Sequence, residues 1–362
     1  MKKAGNELNA ILIINRNEDV NEAIALMKTL GYNVVDTYVV KGVPDSRFYI
    51  GKGKLDRLKE LIEKENVSKI YIYDSVKPRQ IVNLMRELKV EVLDKIQLIL
   101  EIFAQHAGSK EAKLQIEMAK IKHELPLIRE WVRRAKLGEL PGFLGPGAYA
   151  IDAYYRMMRR RLSVIRERLE KLRERRRRER EKRRRLGLPH VSISGYTNAG
   201  KTTLFNVIVK ETKPTGNEMF TTLSPKAKAA IINGCKIVFV DTVGFIRNVP
   251  VEVIEAFYAT LEEIVYSDLN LLVIDGSEPI ELIKHKLTSS INTLKTIGFM
   301  GKPMIIAFNK IDLVGKDLEN RRELVEKIAK ENYPLTTDVI PISALKRMNI
   351  DTLKGKILEA IK

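Results

Sequence analysis

Cysteine is almost missing from this chain of 362 residues: Cys235 stands alone, which rules out a disulfide framework and a cysteine-built zinc site. Histidine is nearly as scarce. His106, His123, His190 and His285 lack ligand spacing and argue against a histidine-built metal centre. No apolar run approaches the roughly 18 residues that cross a bilayer. The stretch 10–14 is too short for the core of a signal sequence, so a cytoplasmic location is expected. Acidic residues are outnumbered, with 46 Asp and Glu against 64 Lys and Arg. The resulting +18 charge points to a polyanionic partner, nucleic acid or an anionic membrane surface. Hydrophobic residues still make up 44%, enough to bury cores in two or three domains. The abundance of Lys, Arg, Glu and Ile with little Gln resembles thermophile usage.

Strand and helix signals alternate over residues 10–107. Strands are expected at 10–14, 34–40, 70–73 and 90–93, with helices at 18–30, 54–64 and 78–88. Short links between alternating elements predict a small parallel α/β domain at 1–107. Over 108–186 the pattern changes. Leu114, Ile121, Leu125 and Ile128 recur at helical spacing, and so do Leu162, Ile165, Leu169 and Leu172. A loop of glycines and prolines at 138–147 separates the two stretches, which predicts an antiparallel helical hairpin. Residues 156–186 hold 17 Lys/Arg against 5 Asp/Glu, a net +12. Three readings of that second helix stand side by side: a solvated face with internal Glu–Arg pairs, a surface for RNA phosphate, and an anionic-membrane contact. The last is disfavoured because 175–178 and 183–185 leave little apolar face. Gly187-Leu188-Pro189 breaks the helix, and alternation resumes over 187–362.

That last region carries the chemistry. After the strand 191–194 comes Gly195-Tyr196-Thr197-Asn198-Ala199-Gly200-Lys201-Thr202, followed by Thr203 and a helix. Glycines let backbone N–H groups curl around phosphates, Lys201 offers a cation to their oxygens, and Thr202 offers a hydroxyl to Mg²⁺. An apolar strand then ends in Asp241-Thr242-Val243-Gly244, where Asp241 would hold Mg²⁺ through water and the Gly244 N–H would face a γ-phosphate. Asn309-Lys310-Ile311-Asp312 follows another apolar strand. Asp312 can accept two hydrogen bonds from guanine N1 and N2, the Lys310 stem can cover the base, and Asn309 can brace the loop. Ser343-Ala344-Leu345 would bring a backbone N–H to guanine O6. Four elements in this order predict a P-loop domain that binds and hydrolyses GTP with Mg²⁺. Lys201, Thr222 and Gly244 are the candidate catalytic residues. Thr202, Thr222 and Asp241 are the candidate metal ligands, with Thr221 and Thr215 as alternatives to Thr222. Phe245 stands where many GTPases carry a water-orienting Gln. Either intrinsic hydrolysis is slow and awaits a partner, whose effect can reach about 10³–10⁵-fold, or Phe245 packs and another residue positions water.

Outside that region, Gly51-Lys52-Gly53-Lys54 and Lys77-Pro78-Arg79-Gln80 open helices and are read as plain turns or phosphate contacts. Trp131, among Arg129, Arg133 and Arg134, is read as helix packing or as a base-stacking group, and Cys235 as structural.

With these motifs in view, the chain resembles the HflX family of translational GTPases over nearly its whole length. The resemblance rests on Tyr49-Ile50-Gly51-Lys52-Gly53-Lys54, on Leu98-Ile99-Leu100-Glu101-Ile102-Phe103-Ala104-Gln105 with Lys113-Leu114-Gln115 as a central helix, and on the loops at 195–202 and 241–247. It implies a GTP-dependent factor on the large ribosomal subunit, with the N-terminal domain and hairpin facing ribosomal RNA. Bacterial members split stalled ribosomes, and some members resemble ATP-binding RNA-remodelling proteins through the N-terminal domain. Two departures stand out. The family's Gly-Pro-Gly-Glu reads Gly145-Pro146-Gly147-Ala148 here, and a form without the extra C-terminal domain of many bacterial members is expected. The expected form is a monomer. The alternative is an RNA-binding or remodelling protein gated by GTP, with a second nucleotide site in the N-terminal domain.

Overall fold

A computed structural model describes residues 8–136, 148–185, 187–210, 226–245, 253, 258–315 and 317–361. The chain divides into two compact units, one of Met1–Gln105 with Lys113–Leu169 and one of His106–Ala112 with Glu170–Lys362. The expected hairpin at 108–186 is thus shared between them.

The first unit runs β1 (Leu8–Asn15), α1 (Val20–Thr29), β2 (Tyr32–Val40), α2 (Lys52–Lys64), β3 (Lys69–Tyr73), α3 (Pro78–Leu88), β4 (Glu91–Asp94) and α4 (Lys95–His106). The strands are parallel in the order β2-β1-β3-β4, and their ends fall within two residues of the expected ones. The run 10–14 is wholly buried because both sheet faces are covered. Ile11, Ile13, Ile70 and Ile72 pack with Leu55 and Leu58 of α2 and with Ile81 and Leu84 of α3. The alternate residues face the other way. There the Tyr71 hydroxyl donates to Glu101 of α4 at 2.6 Å and that of Tyr73 to Glu22 of α1 at 2.7 Å.

The single central helix implied by the resemblance is two helices, α4 and α5 (Lys110–Lys136). Gly108 interrupts them, and the Ser109 hydroxyl restarts the helix by accepting from the Ala112 N–H at 3.0 Å. The long basic helix is α6 (Ala148–Arg185). Ile121 of α5 packs with Leu162 and Ile165 of α6, and Leu114, Leu125 and Leu169 join them. Pairing of Glu117 with Arg161 and of Arg129 with Tyr155 fixes the antiparallel sense. The loop at 138–147 lies outside the described residues.

The second unit is a six-stranded sheet in the order β10-β9-β8-β5-β7-β6. Its elements are β5 (His190–Gly195), α7 (Lys201–Val209), β6 (Lys226–Ile232), β7 (Cys235–Asp241), α8 (Tyr258–Tyr266), β8 (Leu269–Asp275), α9 (Ile280–Thr296), β9 (Met304–Asn309), a 3₁₀ turn at Ile311–Leu313, α10 (Leu318–Asn332), β10 (Thr336–Pro341) and α11 (Ile350–Ala360). All pairs are parallel except β6 with β7. The chain leaves β5 toward β7 on one side and returns to β8 on the other, so the end of β5 is the switch point where a doubly wound sheet opens a crevice. Val191, Ile193, Phe205, Phe239, Leu271 and Ile305 build the core beneath it. Ser192 and Ser194 face a buried lattice instead: Asn270 donates to Ser192 at 2.8 Å and accepts from Ser194 at 2.8 Å.

Within this same unit a buried carboxylate gathers part of the basic helix. Glu262 of α8, only 2% exposed, takes Arg176 at 2.7 Å and Arg173 at 3.4 Å. Arg176 also reaches Glu111 at the start of α5, at 2.8 Å. Arg175 and Arg177 point outward and pair with Glu179 and Glu181 one turn on, both at 3.1 Å. Glu262→Ala would leave the largely buried Arg176 guanidinium undercompensated, and a loss of about 3 kcal/mol is expected. Arg175→Ala should cost under about 0.5 kcal/mol. Urea unfolding of the two variants measures this, and equal midpoints would reduce the Glu262 cluster to an ordinary surface pair.

Candidate functional site

The loop 195–200 turns sharply off the end of β5 because its glycines occupy places no side chain fits. At Gly195 (φ 138°) a Cβ would stand 2.2 Å from the Val273 carbonyl oxygen on β8. At Gly200 (φ 94°), the cap of α7, it would stand 2.3 Å from Asn309 Nδ2. Asn198 takes a left-handed conformation (φ 62°) and is exposed, while Tyr196, Thr197 and Ala199 are buried. The N-terminus of α7 therefore opens toward the crevice with its N–H groups unclaimed by the helix itself, an arrangement that draws anions.

Lys201 lies at that end and is buried, with Nζ donating to the Tyr196 carbonyl at 2.6 Å. Burial pushes its ammonium down to about 8, and the Asp241 carboxylate offsets part of that. A buried cation so placed gains from a phosphate beside it. Thr202 and Thr203 follow on the first turn and are half-buried. The Thr202 hydroxyl donates to Asp241 Oδ2 at 2.9 Å, and Asp241 is fully buried. Strand register brings these groups together, since Ile193 on β5 stands opposite Asp241 on β7. A hydroxyl and one carboxylate are hard oxygen donors, and they fit Mg²⁺, which binds through one or two carboxylates plus phosphate and water. Among the described residues no cluster of three His, Cys, Asp or Glu side chains offers a fuller protein cage.

Gly244 closes over this loop. A Cβ there would lie 2.7 Å from Thr197 Cγ2 and 2.9 Å from Lys201 Nζ. Phe245 is 1% exposed, and its main chain pairs with the loop: its N–H donates to the Gly195 carbonyl and its carbonyl accepts from the Thr197 N–H, both at 2.9 Å. Its ring is therefore a packing element rather than a wall of the crevice. Thr215, Thr221, Thr222 and Arg247 lie outside the described residues.

The base side is built from three further loops. Asn309 is buried and bridges the phosphate loop to one of them, donating through Nδ2 to the Ala199 carbonyl and accepting through Oδ1 from the Ala344 N–H, at 2.8 and 2.9 Å. It thus ties the phosphate loop to Ser343-Ala344-Leu345, a wider role than bracing its own turn. Lys310 takes a left-handed conformation (φ 63°), which starts the 3₁₀ turn carrying Asp312. The Ser343 hydroxyl donates to Asp312 and holds its carboxyl below the usual range, and Lys346, at 3.7 Å, acts the same way. Ser343 and Ala344 are buried and Leu345 is exposed.

One residue of this cleft escaped the sequence reading. Asp275, at the end of β8, accepts from Lys310 Nζ at 2.6 Å. The signal was present, because β8 is an apolar strand ending in a carboxylate, like β7 with Asp241.

In the first unit, Gly51, Lys52, Gly53 and Lys54 are exposed at the start of α2. Tyr49 before them is buried, and its hydroxyl donates to Asp74 at 2.6 Å. At α3 the Gln80 side chain accepts from the Lys77 N–H at 3.1 Å. Trp131 is half-buried, and Cys235 is exposed at the start of β7.

A glycine-shaped phosphate loop, a strand-end Asp–Thr pair and an Asn-Lys-x-Asp turn on one sheet edge define a P-loop GTPase. Comparison with known proteins narrows this. Residues 17–104 match the family described as GTP-binding GTPase N-terminal, 106–183 the GTP-binding GTPase Middle Region and 190–310 the 50S ribosome-binding GTPase. GTPase HflX of Hyperthermus butylicus is 50% identical over 331 residues, covering 90% of this chain and 88% of that one. GTPase HflX of Saccharolobus solfataricus is 44% identical, covering 97% and 98%. A crystal structure of a GTP-binding protein from Sulfolobus solfataricus in complex with GDP is 39% identical, covers 98% of each chain and has a TM-score of 0.54. The chain belongs to the HflX family of GTPases.

Gly244→Ala tests the tightness of the loop. Its methyl must displace Lys201 or Thr197, so GDP and GTP affinity is expected to fall about tenfold or more. Gly355→Ala, with open space around its Cβ in α11, should leave both unchanged. Fluorescence titration with labelled nucleotides decides, and equal affinities for the two variants would contradict the geometry.

Proposed function

We propose that this chain hydrolyses Mg·GTP in the crevice at the end of β5 and does so as a factor on the large ribosomal subunit. The observation that carries the nucleotide reading is Asn309, whose one buried amide joins the phosphate loop to the loop expected at guanine O6. In this reading Lys201 neutralises the β and γ oxygens, and residues 195–203 wrap the phosphates with backbone N–H groups. Thr202, and Asp241 through water, would hold Mg²⁺, which would supply charge neutralisation on the phosphate oxygens. The Gly244 N–H faces the γ-phosphate, and Thr222 joins it there. Asp312 selects guanine through N1 and N2, Lys310 covers the ring, and Ser343, Ala344 and Leu345 close around O6. Phe245 packs and cannot orient water, so in this reading the group that positions water is supplied with a partner and hydrolysis waits on it.

For the partner, two observations point to RNA. One is the match of residues 190–310 to a family described as 50S ribosome-binding GTPase, a ribosome being largely RNA, and the other is the outward set of arginines on α6. Arg173 and Arg176 are committed to Glu262, so the phosphate-binding face in this reading is Arg175, Arg177, Arg178 and Lys182. The three-part division at 1–107, 108–186 and 187–362, the monomeric form and the cytoplasmic location belong to the same proposal. None of the described helices is long and apolar enough to cross a membrane.

GTP hydrolysis with and without isolated large subunits, at two salt concentrations, tests it. A steep rise in rate with subunits at low salt is expected, weakening as salt increases by about 0.7–0.9 in log–log slope per phosphate contact. Tight binding to naked RNA with no subunit stimulation would favour an RNA-binding protein gated by GTP instead. Flotation with anionic vesicles would favour a membrane surface.

A further inference from the structure

We infer that Asp275 is a positioning residue for the guanine base, acting by holding Lys310 in the conformation that covers the purine ring. The inference rests on reading the Asn309–Asp312 turn as the guanine site.

The argument starts from the backbone. Lys310 is a long side chain on a left-handed residue (φ 63°), a conformation that costs an L-residue roughly 1 kcal/mol. A flexible four-carbon stem covers a base poorly unless its far end is fixed. Asp275 fixes it, at 2.6 Å from Lys310 Nζ. The carboxylate is itself immobilised. Its other oxygen, Oδ1, accepts from the Ser277 hydroxyl at 2.6 Å and from the Ser277 N–H at 3.0 Å. Its side chain is 9% exposed and that of Lys310 26%, so the pair is shielded but stands at the rim of the crevice.

The loop that carries Asp275 is locked to the same turn. The Gly276 N–H donates to the Asn309 carbonyl at 2.8 Å. Gly276 has no room for a side chain, since a Cβ would meet Phe308 Cζ at 2.8 Å. From below, Arg321 of α10 donates to the Gly276 and Glu278 carbonyls at 3.0 and 2.8 Å. The loop after β8 is thus a third wall of the base pocket, beside the turns at 309–312 and 343–345, and its contribution is the direction of one ammonium.

Because Lys310 meets the ring face and not its edge, Asp275 sets affinity and leaves the choice of base to Asp312. Asp275→Asn keeps the shape and the Ser277 contacts but removes the charge that holds Nζ. GDP affinity is expected to fall about tenfold, the size of one charge-assisted hydrogen bond. Lys310→Ala should lose at least as much, and the double variant should be no weaker than Lys310→Ala alone. Asp275→Glu, which keeps the charge, should recover part of the loss. A loop that merely needs Asp275 to fold would give additive losses and no recovery. Additive losses, or an unchanged GDP affinity in Asp275→Asn, would overturn the inference. If Asp275→Asn does not fold, Lys310→Met reads the pair from the other side, and an unchanged GDP affinity there overturns it equally. Asp312→Asn tests the underlying reading separately, with preference expected to pass from GDP to xanthosine diphosphate. If that exchange fails, the guanine site is misassigned; if it succeeds while the Asp275 cycle is additive, only the inference falls.

Discussion

One buried amide carries the geometry of the cleft. Phosphate and base loops leave different strands, and nothing in a parallel sheet obliges neighbouring loops to keep a fixed spacing. Asn309 imposes it by donating to Ala199 on one side and accepting from Ala344 on the other. Both contacts are inside the protein, where an unsatisfied amide costs about 1–3 kcal/mol. Each loop therefore pays if it moves away. Gly200 makes the contact possible, since its missing Cβ is what lets Asn309 reach the loop.

The phosphate end follows a complementary logic. Lys201 is enclosed, its charge is opposed by burial, and the nearby Asp241 only partly relieves it. The site holds a cation at a helix N-terminus whose N–H groups also seek a negative partner. An anion that enters answers both demands at once, so binding is favoured before any contact with the base. Gly244 and Phe245 keep the crevice narrow, the first by lacking a side chain and the second by pinning its main chain to Gly195 and Thr197.

Local patterns were legible in the amino-acid sequence, and pairings were not. The strands of the first unit could be read because an apolar run buried on both faces leaves a distinct signature. The loop at 195–202, Asp241-x-x-Gly244 and the turn at 309–312 are contiguous, and their residue types follow from phosphate and base chemistry. Asp275 escaped because its partner Lys310 lies 35 residues away and neither residue advertises the other. The break between α4 and α5 falls at the 107/108 division read in the sequence, and only the family resemblance joined the two stretches in one central helix. Phe245 showed that a residue type predicts what a side chain cannot do more securely than where it points.

The same distinction applies to the basic helix. Its net +12 reads as one uniform patch in sequence, yet the fold divides it. Arg173 and Arg176 spend their charge on Glu262, and Arg176 also on Glu111. Arg175 and Arg177 have only exposed glutamates one turn away, and such pairs contribute about 0.3–0.5 kcal/mol. A polyanion can therefore displace Glu179 and Glu181 at little cost, whereas drawing Arg176 away would leave a carboxylate stranded in the interior. Charge counted along the helix overstates what is available to a partner. The part that is available is the part whose intramolecular pairing is weakest.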